Sequence, residues 1–183
     1  MRVSLEAAER FIGLYVRLLH YAGQQRDVIP PDMSFDKFLK EPMQVKIACR
    51  EAIYLPAPLL DDFMMAYDDF LSVEAQKIVS AWTRYVKGTF LVLRHLKKYT
   101  IFLHSVSPAN AYGVLGLTDD IEEFLPAWRL PIAIETVLLP YAGVVVCDGM
   151  ISVYDMVIGP NMRSGLNEDY KKMKSAGRFF TTL

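Results

Sequence analysis

Residues 89–104 read TFLVLRHLKKYTIFLH, and how this stretch is read decides the fold. Phe90-Leu-Val-Leu-Arg-His and Tyr99-Thr-Ile-Phe-Leu-His are runs rich in β-branched, aromatic and aliphatic residues. Leu96-Lys97-Lys98 separates them. Two such runs flanking a short polar break predict an antiparallel hairpin. Neither run has a polar face: Leu91 and Leu93 lie on one side, Phe90 and Val92 on the other. A sheet buried on both faces must be covered by helices or by a second sheet.

Before the hairpin the apolar period is helical. Ser4 is a plausible N-cap. Leu5, Ala8, Ile12, Tyr15 and Leu19 follow at helical spacing, giving a long helix that frays near Gly23 and ends before Pro30-Pro31. Ser34 caps a short helix over 35–40. Residues 43–54 are helical again, Pro56 and Pro58 punctuate, and 59–70 form a helix with an acidic face (Asp61, Asp62, Asp68, Asp69). Ser72 caps the last helix of this half, and Gly88 is expected to end it. These helices are the expected cover for the sheet.

After the hairpin the pattern stays β-rich. Residues 111–117 predict a third strand, and Thr118 caps a helical turn over 119–125. Residues 131–139 are the central strand, with a turn at 140–143. Residues 144–147 follow, then an Asp148-Gly149 hairpin turn and a returning strand over 150–158. Asn161 starts a helix that Gly177 ends, and 178–183 could add a last strand. The reading is α+β: a helical N-terminal segment (1–87) packed on a mostly antiparallel sheet module (88–183) as one unit.

Composition sets the broad class. With 52% hydrophobic and 22% charged residues and a net charge of −1, the chain is a packed protein rather than a disordered one. Neither half carries a charge excess that would mark a nucleic-acid binder overall. Two distant cysteines, Cys49 and Cys147, read as core thiols in a reducing compartment, so the expected location is cytoplasmic. The uncharged stretch 99–118 holds His104, Pro108, Asn110 and two glycines. It reads as two strands and a loop, with no membrane association.

Several runs in the second half resemble a family of uncharacterised prokaryotic proteins: 90–99 (FLVLRHLKKY), 112–118 (YGVLGLT), 135–141 (ETVLLPY), 147–151 (CDGMI) and 159–163 (GPNMR). That family more often has an aromatic residue where Cys147 stands. The resemblance spans roughly 88–183 and implies a shared C-terminal module with no activity attached.

No catalytic or phosphate-binding motif occurs, and neither a cofactor nor a metal is expected. His95 and His104 could approach across the hairpin, with Glu135 as a third group, but they lack zinc-ligand spacing. Glu135 lies among Ile132, Ala133, Ile134 and Val137. If buried it would need a partner such as Arg94 or Arg129, or it could act as a raised-pKa acid beside His104. Otherwise it points outward. Gly159-Pro160-Asn161 opens a helix whose amides could hold an anion next to Arg163. Arg94, Lys97, Lys98 and Tyr99 cluster at the hairpin tip, and Arg163, Lys171 and Lys172 lie on the last helix. Should the two neighbour each other, they form a basic patch with aromatic residues. The leading expectation is a non-enzymatic interaction protein that binds a protein partner or itself. Nucleic-acid binding by the basic tip and last helix is the first alternative, and an enzyme using Glu135 with His104 the second.

Overall fold

The computed structural model describes residues 1–55, 59–104, 106–156 and 158–183. Pro56 and Pro58 lie outside them. The chain divides into a helical unit, Glu9–Thr83, and a sheet unit formed by Met1–Ala8 with Arg84–Leu183.

The helical unit follows the apolar periodicity closely. Its elements are α1 (Leu5–Gln25, whose first turn belongs to the sheet unit), α2 (Phe35–Leu39), α3 (Met43–Ile53), α4 (Leu60–Ala66) and α5 (Val73–Ala81). Ser34 and Ser72 cap α2 and α5 as expected, accepting from the amides of Lys37 and Ala75. Trp82 is fully buried, with Phe11 and Tyr15 set edge-on to it. α1 ends before Pro30-Pro31 as expected, at Gln25, just past Gly23. A Cβ at Gly23 would lie 2.5 Å from the Cys49 sulfur, so the glycine is what lets α1 and α3 approach. α4 is shorter than expected and stops at Ala66.

The sheet unit contains β1 (Val86–His95), β2 (Thr100–His104), β3 (Asn110–Leu115), α6 (Ile121–Phe124), a 3-10 turn (Ala127–Arg129), β4 (Ile132–Tyr141), β5 (Val144–Cys147), β6 (Ser152–Val153), α7 (Pro160–Ser175) and β7 (Phe179–Phe180). β1, β2 and β3 form an antiparallel meander. β4 returns antiparallel beside β1, and β5 turns back to lie antiparallel to β4 and parallel to β3. Five strands therefore close in the order β1-β2-β3-β5-β4 and back to β1. Strand order and directions are those of the OB-type Greek-key barrel. β7 adds a second parallel partner to β3, at Ala111 and Tyr112.

Closure buries one face of the barrel strands. Phe90, Val92, Phe102, Tyr112 and Val114 pack with Ile132, Ile134 and Leu138 inside the barrel, and Ile121, Leu125 and Leu130 join the same cluster. The outward face of β1–β3 is covered too. Leu93, Ile101, Leu103 and Ala111 pack against Leu166, Tyr170 and Met173 of α7. Burying each of these large α7 side chains contributes roughly 1.5–3 kcal/mol, which holds a helix that is otherwise polar along its length.

Four expectations for this unit are corrected. Gly88 lies within β1 opposite Thr136 instead of ending a helix, because the pairing with β4 already begins at Val86. Asp120, not Thr118, caps α6, in a capping box with Glu123. The turn between β4 and β5 is only Ala142-Gly143, both at positive φ, and Pro140 and Tyr141 still belong to β4. Asp148-Gly149 makes no hairpin. The chain continues along β4, pairing Cys147 with Leu138 and then Ser152 with Glu135. The residues between bulge out, and Asp148 Oδ1 accepts from the buried Thr136 hydroxyl (3.0 Å) and the Met150 amide (3.1 Å). The residue type suited to a turn is used here to satisfy a buried hydroxyl. Val157, in the expected returning strand, lies outside the described residues.

Candidate functional site

A bulge in β1 builds the candidate site. The β1–β2 register runs Val92 opposite Phe102, then Arg94 opposite Ile101. Leu93 is the extra residue. Strand side chains alternate, so without the bulge Arg94 would face the barrel interior. With it, Leu93 is buried under α7 and Arg94 emerges at the edge of that helix. Its guanidinium lies 5.3 Å from the Tyr170 ring centroid and donates to Asn167 Oδ1 at 3.2 Å.

Beyond the bulge, His95 ties the hairpin tip to α6. Its Nε2 is 2.8 Å from the Leu125 carbonyl, which can only accept, so this nitrogen donates. Nδ1 meets the Thr100 hydroxyl at 2.8 Å. Both ring nitrogens are engaged within the protein. On the other side, the first turn of α7 is pinned where Arg163 Nη2 donates to the Leu130 carbonyl at 2.9 Å.

Between these ties lies an open groove. Its wall includes Arg94, His95 and Lys97 from the hairpin, Glu122 of α6, Ala127 and Leu130 around the 3-10 turn, and Arg163 of α7. Arg94, Lys97 and Arg163 share this wall with one carboxylate, Glu122. Trp128, between Ala127 and Arg129, is 82% exposed.

The other expected basic residues fall elsewhere. Lys98 is exposed in the hairpin turn. Tyr99 packs against Phe179, ring centroids 5.4 Å apart, and covers Gly113, where a Cβ would lie 2.9 Å from its ring. Lys171 and Lys172 lie on the exposed side of α7, paired with Glu168 at 2.8 Å and Asp169 at 3.8 Å. Lys171 holds the Glu168 carboxyl below its ordinary pKa.

Glu135 and His104 are not brought together. Glu135 pairs with Thr89, whereas His104 pairs with the next residue, Phe90. Adjacent positions on a strand face opposite sides. Glu135 is half-buried and accepts from the Tyr154 hydroxyl at 2.8 Å. His104 stacks 4.8 Å from Phe90 in the barrel, its Nε2 buried with no partner, and burial lowers its pKa. Among the described residues, no three His, Cys, Asp or Glu side chains gather where they could hold a metal. Cys49 and Cys147 are buried and free, pushed by burial to about 11 and about 12.

No family model, curated protein or solved structure matches this chain. The likeness to OB barrels rests on strand order and direction. No helix among the described residues is long and apolar enough to cross a membrane. The sequence reading found Arg94, Lys97 and Arg163 but not the bulge at Leu93 that brings Arg94 to the groove.

Proposed function

We propose that the sheet unit is a non-catalytic binding module for nucleic acid, held in the groove beside the β1–β2 hairpin. One observation carries this reading: Arg94 and Lys97 from the hairpin and Arg163 from α7 line the same groove, far apart in sequence. Clustered cations neutralise phosphates and release counterions. OB barrels hold oligonucleotides on the face of strands 2 and 3 and with the β1–β2 loop. Here α7 occupies that face, and the loop remains open to ligand.

The test is charge reversal with an internal comparison. Lys97→Glu and Arg163→Glu should each weaken binding of a fluorescent single-stranded oligonucleotide at low salt. Lys171→Glu, on the outer side of α7, should not. Equal effects at all three positions would mean that only general charge matters, and the groove reading would fail.

A protein partner is the second reading, favoured by a surface of the helical unit. Met65, Phe70 and Val73 are 71%, 83% and 68% exposed. Residues 60–76 around them carry Asp61, Asp62, Asp68, Asp69 and Glu74, with no lysine or arginine. Such a surface suits a partner that presents apolar side chains among cations. Native mass spectrometry tests it. A mass above 20.8 kDa that Phe70→Asp removes supports this reading, and a larger mass that survives the substitution moves the interface elsewhere.

A further inference from the structure

The seam that closes the barrel also opens a cleft. β3 and β5 pair only at Val114 with Val145 and Leu115 with Val146. Beyond those pairs the two strands part. After β3, Gly116 is drawn to the Met1–Val3 segment: its amide donates to the Met1 carbonyl (3.0 Å) and its carbonyl accepts from the Val3 amide (3.1 Å). After β5, the chain bulges at Asp148-Gly149 and returns to β4 as β6, whose other edge pairs with no strand among the described residues. The space left between holds a cavity of about 350 Å³, within the range of small-molecule sites (roughly 300–1,000 Å³). Leu117, Phe124, Leu125, Ile151 and Val153 give it apolar walls, and Phe124 and Val153 are still exposed to water.

Asp119 carries the one formal charge among the described residues of this wall. Its loop is tightly closed: a Cβ on Gly116 would lie 2.0 Å from the Asp119 carbonyl oxygen, so the turn needs glycine. The nearest cations are engaged elsewhere. Arg2 donates to the Thr118 carbonyl, and the Met1 amino group pairs with Asp120 at 2.8 Å. Asp119 Oδ2 accepts from the Thr118 hydroxyl at 2.7 Å, and among the described residues no cation pairs with it. Residues 119–123 add three more carboxylates and no lysine or arginine.

We propose that this cleft binds a small organic amine, with its apolar body between the walls and its ammonium group against Asp119. The apolar body gains affinity by leaving water, and the ammonium supplies the charge that the wall lacks. The cleft and the basic groove have no lining residue in common, so this proposal stands or falls independently of what the groove binds.

Three probes of one shape separate burial from charge: phenylpropylamine, phenylpropanol and phenylpropionate. Each is titrated into the isotope-labelled intact protein and followed by amide chemical shifts. Phenylpropylamine should shift the amides of Gly149, Ile151 and Val153 saturably and bind about threefold to fivefold tighter than the alcohol. Phenylpropionate should bind most weakly there. Asp119→Asn should remove the amine's advantage and leave the alcohol unchanged. Val153→Trp, at an exposed position, should narrow the cleft and weaken amine and alcohol alike. Equal affinity for amine and carboxylate, an amine advantage that survives Asp119→Asn, or no saturable shift at these amides with any probe would each overturn the proposal.

Discussion

Replacing His95 with leucine removes the two hydrogen bonds that fasten the hairpin tip. The Leu125 carbonyl loses its donor, and the Thr100 hydroxyl, on a residue 5% exposed, loses its partner. A buried polar group left unsatisfied costs about 1–3 kcal/mol. With water reaching part of the site, the expected loss is about 2 kcal/mol, a fall in melting temperature of roughly 4–8 °C for a chain of this length. A double-mutant cycle separates the bond from the packing. Thr100→Val should cost about 1 kcal/mol alone, yet be close to neutral in the His95→Leu background, where the hydroxyl is already stranded. Urea unfolding of the four proteins gives the coupling energy. Strict additivity, or a His95→Leu protein as stable as the natural one, would refute the claim that this histidine fixes the wall of the groove.

Three other expectations follow from buried groups. Asp148→Ala strands the fully buried Thr136 hydroxyl and should lower stability by about 2–3 kcal/mol, whereas Asp148→Asn, which keeps the acceptor oxygen, should cost less than half of that; urea midpoints decide. His104 is held neutral by burial, so the unfolded chain takes up its proton first as pH falls. Its contribution is complete above about pH 6.5 and is lost as pH drops through the lower folded value. The natural protein should therefore lose more melting temperature between pH 7.5 and pH 5 than His104→Leu does, and parallel losses would contradict this. Cys49 and Cys147 should resist a thiol reagent at pH 8 until the protein is unfolded, since both are buried and pushed to about 11 and about 12; rapid labelling of the native protein would show an accessible thiol instead.

Local chemistry made much of the fold legible. Serine caps, the polar break at residues 96–98 and glycine at 177 act over a few residues, and they placed the helices and the first hairpin. Barrel closure depends on pairings between distant segments, such as Val86 with Leu138 and Val114 with Val145, which leave no local mark. The same applies to Asp148-Gly149. Its dipeptide chemistry favours a tight turn, but the buried Thr136 across the sheet decides its use. The groove was half legible. Basic residues at a hairpin tip and on a helix can be read directly, but which of them meet depends on the bulge at Leu93. That bulge sends Arg94 outward, while Lys171 and Lys172 are left on the far side of α7 with their own carboxylates.

The salt dependence of oligonucleotide binding tests the central claim most directly. Anisotropy of a labelled single strand, titrated with the intact protein between 50 and 200 mM salt, gives the slope of log affinity against log salt. Three groove cations at about 0.7 each predict a slope near −2, and Lys97→Ala should reduce its magnitude by about 0.7. No binding at 50 mM salt, or a slope unchanged by Lys97→Ala, would contradict the account.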